Sequence, residues 1–229
     1  MFWTENSENK VVFVVPEDIM DVMFSLKCKT LPIEHAHALS MAMHEVLPWL
    51  ENDDRAGVHL IHVAESGNGW MRPDDTENEI LCLSRRTKMT LRLPKERIEE
   101  TKSILLNKTF DIDGHVLTIG EGVSKPFVAL PTLFCRYVVT DPGDDEMAFM
   151  HWAVERLNDM NIPIKKMMAG KQNAFKTPTD TICTRSLMVA ELEEEQSVRL
   201  QQNGMGTHRT MGCGLFMPQK GIKAVNSDD

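Results

Sequence analysis

Two groups of residues in this 229-residue chain have types and spacing that could do chemistry on a phosphate. The first is NGMGTHRTMGCGLFMPQKG, residues 203–221, which holds five of the thirteen glycines together with His208, Arg209 and Lys220. No acidic residue lies between Met205 and Lys223. Glycines let a backbone take positive φ and approach a partner closely, and exposed amides beside cations attract a phosphate. A tight turn without a ligand has the same pattern. A dinucleotide fingerprint runs from strand into helix, and this stretch runs the other way, while GxxxxGK[ST] is absent. The second group is histidine, whose imidazole titrates near neutrality and suits general acid–base work. Of eight, His35, His37 and His44 share LPIEHAHALSMAMHEVLPWL, and His59 falls in GVHLIHV. HAH is a poor metal site, because residues two apart diverge on a helix and nothing completes the set. No metal and no cofactor is expected.

The scaffold for these groups is within reach of the composition: 42% apolar residues are enough for one large domain or two small ones. No run of eighteen apolar residues occurs and MFWTENSENK lacks a signal-peptide layout, which points to a soluble protein of the cytoplasm with no membrane partner. Five scattered cysteines argue for buried thiols and against disulfides or zinc. Most of the sixteen methionines read as core filler. The net charge of −9 disfavours a nucleic-acid partner, yet charge is segregated. Residues 85–108 carry eight basic side chains against three acids, and residues 163–190 carry five against one. Such segregation permits basic faces on an acidic protein, or simply solvated helices and loops.

Periodicity predicts strands from Asp21, at 57–63 and at 88–94, helices over 31–50 and 95–107, and a hairpin over 109–120 turning at Asp113–Gly114. The order βαββαβ then repeats: strand 130–140, helix 144–162, strands 162–169 and 180–192, helix 193–204, strand 213–218. The expected fold is α+β, two tandem ferredoxin-like (RRM-like) units, 1–125 and 126–229, each a four-stranded antiparallel sheet with both helices on one face. The open sheet face is the surface that RNA-recognition modules use. In KMTLRLP, Met89, Leu91 and Leu93 share one face, and Lys88, Thr90 and Arg92 form an exposed basic row on the other. The glycine stretch joins the last helix to the last strand. His35 shares the helical stripe of Leu39, Ala42 and Val46, as a core residue or as a side chain aimed into a cleft between the units. His37 and His44 take the opposite side and read as surface residues. Trp49 and Trp152 read as core.

SVRLQQNGMGTHRTMGCGLFMPQKG (197–221), LPIEHAHALSMAMHEVLPWL with GVHLIHV, and KMTLRLP with FDIDGHVLTIG resemble the CRISPR-associated endoribonucleases of the RAMP superfamily, in particular the Myxan subtype. These enzymes cut precursor CRISPR RNA at each repeat. The resemblance covers nearly the whole chain. It implies metal-independent cleavage on the 3′ side of a repeat hairpin, leaving a 5′-hydroxyl and a 2′,3′-cyclic phosphate. It also implies retention of the guide RNA in an interference complex with other subunits. Related enzymes keep a catalytic histidine in or beside the first helix, and Glu34–His35 resembles the end of their LPxDH motif, which selects His35. His37 stands where related members often carry tyrosine. Lys88 and His59 are the further catalytic candidates, one a cation for the phosphorane and the other a second acid or base. The RNA-binding set is Lys88, Arg92, Gly204, Gly206, His208, Arg209, Gly212 and Gly214. A non-cutting RAMP subunit that binds or caps guide RNA and a small-molecule regulatory protein with paired ferredoxin-like units are the competing readings.

Overall fold

The alternation of Met89, Leu91 and Leu93 with polar residues builds the middle of the first sheet in the computed structural model, which describes residues 13–62, 79–141 and 145–219. That sheet holds β1 (Ile19–Lys27), β3 (Gly57–Val58), β5 (Lys88–Pro94), β6 (Thr109–Ile112) and β7 (His115–Lys125), in the order β3-β5-β1-β7-β6 with every pair antiparallel. Pairing sets Val22 opposite Leu91 and Phe24 opposite Met89. These side chains meet Leu39 and Met43 of α1 (Ala36–Val46) and Ile98 and Leu105 of α2 (Ile98–Leu105) in one core, so both helices lie on one face. Each such side chain contributes about 1.5–3 kcal/mol by leaving water.

The second sheet holds β8 (Leu133–Val139), β9 (Lys166–Lys176), β10 (Thr181–Ala190) and β11 (Met217–Pro218), in the antiparallel order β11-β8-β10-β9. Phe149, Ala153 and Leu157 of α3 (Glu146–Asp159) and Leu200 of α4 (Glu194–Asn203) share its core with Leu133, Cys135, Leu187 and Val189. Both helix starts are written locally. Asp145 accepts a hydrogen bond from the Ala148 amide at 2.7 Å, and Glu193 and Gln196 form a reciprocal capping box.

Several sequence expectations change. The strand expected over 57–63 pairs only at Gly57–Val58; after the His59 amide donates to Thr90, the chain turns away toward α1. A ribbon of β2 (Thr30–Pro32) with β4 (Ile80–Cys82) was not foreseen, and three-residue strands leave little periodic signal. The strand expected at 162–169 is instead Lys166–Lys176, half of a long hairpin. Asp113 and Gly114 do turn the β6–β7 hairpin, with φ of 50° and 83°. Cys135 and Cys213 are buried and Cys28 and Cys183 half-buried, whereas Cys82 is exposed. Met41, Met147, Met168 and Met217 are more than half exposed and fill no core. Trp49 and Trp152 are half-buried against their cores. His37 and His44 are half-buried rather than on an open surface. Among the described residues no helix is long and apolar enough to cross a membrane. Residues 1–12, 63–78, 142–144 and 220–229, including Lys220 of the glycine stretch, lie outside the described part.

Candidate functional site

The glycine stretch is a clasp between the two sheets. Gly204, Gly206, Gly212 and Gly214 have φ of 62°, 81°, 82° and 68°, and His208 has 60°, which is the left-handed backbone that the sequence predicts at several points. A Cβ on Gly204 would overlap the Gly214 carbonyl and the Arg209 guanidinium, so glycine is required there by close approach as well as by φ. The loop closes on itself and on β8: the Met205 amide donates to Gly214 at 3.1 Å and the Gly214 amide to Tyr137 at 2.7 Å. Amides expected to face a phosphate are therefore spent inside the protein at Gly204, Gly212 and Gly214. The exposed part of the loop is Gly206, Thr207 and His208, where the Thr207 hydroxyl lies 2.8 Å from His208 Nδ1.

Arg209 and Arg92 correct the expected RNA-binding set. Arg209 is 8% exposed, and its guanidinium donates to the carbonyls of Arg55, Ala56, Gln202 and Asn203. Burial and the nearby Arg92 charge push its pKa down to about 10. Arg92 has no exposed surface at all. It grips the Asp21 carboxylate through Nε at 2.9 Å and Nη2 at 3.1 Å, reaches the Gln201 carbonyl at 2.6 Å and the Phe216 carbonyl at 3.1 Å, and lies 4.7 Å from the Phe127 ring centre. The row Lys88, Thr90, Arg92 does share one strand face, but α4 and the chain entering β11 cover its Arg92 end. Both arginines have their donors committed to the protein.

His59 is also framework. Its ring is 8% exposed, with Nε2 3.7 Å from Asp21 Oδ1 and no hydrogen-bond partner for that nitrogen among the described residues. Burial lowers its pKa, against the pull of Asp21. Burial raises the Asp21 carboxyl, but the Arg92 charge, the neighbouring His59 ring and the hydrogen bonds from Arg92 outweigh that and hold it well below the carboxylate range. Burial likewise pushes the Cys135 thiol up to about 12, which leaves it un-ionised and inert at neutral pH.

His35 sits at the N-cap of α1, one residue before the helix that was expected to include it. Its carbonyl accepts the Leu39 amide at 2.9 Å. Its ring, 1% exposed, turns back: Nδ1 donates to the Pro32 carbonyl at 2.8 Å and Nε2 accepts the Ile61 amide at 3.1 Å. Both nitrogens of the neutral imidazole are occupied by backbone, and the core reading of His35 replaces the cleft reading. What His35 does is bind residue 61 to the start of α1 and so deliver His62 to the surface.

His62 is exposed, stacked at 30° with its ring centre 6.4 Å from that of Tyr137. Tyr137, the chain's one tyrosine, meets Phe175 edge-on at 4.7 Å. Ala36, Leu60, Met211, Ile182 and Cys213 complete this cluster, which joins the start of α1, the glycine loop and the second sheet. His62 and Tyr137 were missed. The signal available was HLIH, whose spacing of three sends its two histidines to different sides of an extended chain. Lys88 is exposed at the start of β5, the opposite end from Arg92. Among the described residues no three His, Cys, Asp or Glu side chains converge as a metal-ligand set.

Two antiparallel sheets, each carrying two helices and clasped by a glycine loop, define a fold found among CRISPR-associated proteins. A solved structure of a CRISPR-associated protein Cas6 matches with a TM-score of 0.61 at 12% identity, over 88% of this chain and all of that one. A Cas6-related protein from Pyrococcus furiosus matches with a TM-score of 0.50 at 13% identity, over 90% of this chain and 99% of that one. At these identities the likeness is one of fold. The family model described as Cas6 Crispr matches residues 20–221. The CRISPR-associated endonuclease Cas6 of Myxococcus xanthus (strain DK1622) is 30% identical over 219 residues, 96% of this chain and 87% of its relative. The chain belongs to the Cas6 family.

Proposed function

We propose that the protein is a metal-independent endoribonuclease that cuts precursor CRISPR RNA within its repeats and stays on the repeat hairpin of the guide RNA, in a complex with other subunits. The observation that carries this reading is the Cas6 family match across residues 20–221. The two strand orders fit two tandem ferredoxin-like units, 1–125 and 126–229, since in each the first strand lies between the third and the last. Cleavage without a metal removes the proton of the ribose 2′-OH, places negative charge on the phosphorane and protonates the leaving 5′-oxygen. A 2′,3′-cyclic phosphate and a 5′-hydroxyl result.

In this reading His62 is the general acid or base, because it is the exposed imidazole at the junction of α1, the glycine loop and the second sheet. His35 positions it through Ile61. Lys88 and His208, both exposed, and the turn at Gly206 supply charge and backbone to the RNA. The test is repeat RNA incubated with the protein in EDTA, with and without a single 2′-deoxy nucleotide 5′ of the cut. Site-specific cutting of the all-ribose RNA alone is expected, with His62→Ala about 10²- to 10⁴-fold slower at unchanged affinity. Binding without cutting, a magnesium requirement or cleavage of the deoxy substrate would overturn the proposal.

A further inference from the structure

A cavity of about 180 Å³ opens beside the exposed turn of the glycine loop. Val139 at the end of β8 and the following Thr140 and Asp141 form one side, α3 contributes Phe149 and Trp152, and the loop contributes Gly206 and Thr207. The α3 wall is flat and aromatic: the two rings lie 29° from parallel with centres 6.0 Å apart, and the Trp152 indole is half-buried, so one face is supported by the core. The opposite lip is bare backbone. Gly206 has φ of 81°, and a Cβ there would stand 3.7 Å from the tip of the indole, so glycine keeps the mouth open where a side chain would narrow it. Of the residues assigned above to the cleavage site, Gly206 alone lines this cavity, and it does so with backbone.

We propose that this pocket takes one unpaired guanine of the RNA, stacked on Trp152 with its Watson–Crick edge toward Asp141. The inference rests on the proposed RNA processing for its ligand, and on this chemistry for its choice of base. Unpaired bases are recognised by stacking on aromatic side chains and by hydrogen bonds to their edges. Among the described residues, the one charged side chain lining the cavity is a carboxylate, which repels phosphate and only accepts hydrogen bonds. Guanine offers two adjacent donors on that edge, N1–H and the 2-amino group, matching two carboxylate oxygens. Adenine and cytosine set an acceptor beside their amino group, and uracil flanks its single N–H with two acceptors. The pocket thus reads base identity while Lys88 and His208 hold backbone.

The full chain, labelled with ¹⁵N, is titrated with guanosine, inosine and adenosine while the Trp152 indole N–H signal, assigned by its loss in Trp152→Phe, is followed. Guanosine should shift it at millimolar concentration, with inosine, which lacks the 2-amino group, roughly tenfold weaker, the size of one hydrogen bond to a charged group. Asp141→Asn should bring guanosine and inosine within about twofold of each other while the rest of the spectrum is unchanged. Equal shifts from guanosine and adenosine, or none, overturn the pocket. Repeat-RNA cleavage, measured on the same preparations, separates the two proposals. Cutting without a guanosine shift overturns the pocket alone, whereas a guanosine shift without cutting overturns the proposed function and leaves the pocket standing.

Discussion

Replacing Arg92 with methionine keeps most of the side-chain volume and removes a cation that ties the two sheets together. Asp21, whose side chain is 21% exposed, would lose both of its bonds to the guanidinium, and the carbonyls of Gln201 and Phe216 would lose a donor. Leaving a mostly buried carboxylate without its partner costs about 3–5 kcal/mol, and the two carbonyls add about 1 kcal/mol between them when water reaches them only in part. A loss of about 4–6 kcal/mol is a large fraction of the roughly 5–15 kcal/mol that holds a domain folded. For a chain of this size it corresponds to a fall in Tm of about 8–24 °C. The assay is urea unfolding followed by circular dichroism, with repeat-RNA binding measured at two salt concentrations below the transition. Asp21→Asn/Arg92→Met should be more stable than Arg92→Met alone, because the uncompensated charge is gone. If Arg92→Met unfolds within about 1 kcal/mol of wild type while its salt slope for RNA falls by about one, Arg92 is a phosphate contact and the clasp is wrong.

Three further outcomes follow from the same geometry. His35→Ala leaves the Pro32 carbonyl and the Ile61 amide without partners and should lower stability by about 2–4 kcal/mol, read from urea midpoints; wild-type stability would remove His35 from the framework. His59 has a folded pKa below its unfolded value of 6.5, so the unfolded chain takes up the proton first and stability falls as pH drops below about 6.5. Asp21, held below its ordinary 3.8, contributes stability above that pH and loses it as pH falls toward its folded value. Unfolding midpoints should therefore decline from pH 7.5 to 5.5, and His59→Gln should flatten that decline; an unchanged slope in the variant sinks the assignment. Gly204→Ala sets a Cβ against the Gly214 carbonyl at a φ of 62° and should cost about 2 kcal/mol or more, whereas Ala at Gly114, also at positive φ but with open space around it, should cost less.

The elements and their order were legible in the sequence because they depend on neighbours along the chain. Met89, Leu91 and Leu93 announce a strand by their period of two, Asp113–Gly114 announces a hairpin by backbone preference, and four clustered glycines announce positive φ. All are satisfied within a few residues. The βαββαβ repeat placed the glycine stretch between the last helix and the last strand before any contact was known. Lys88 and Arg92 mark where that reading ends. They have the same charge, the same strand and the same face, yet one is open to solvent and the other lies beneath α4 and the approach to β11, residues more than a hundred positions away. A period of two specifies which face of a strand a side chain takes and carries no information about what packs on that face. His35 makes the same point. Its helical stripe was readable, but whether its ring met solvent or backbone depended on the Ile61 amide, and that contact exists only because the chain after β3 turns back to the start of α1. The types of residue suited to RNA chemistry were therefore written in the sequence, while which of them hold the protein together and which face solvent was decided by long-range packing.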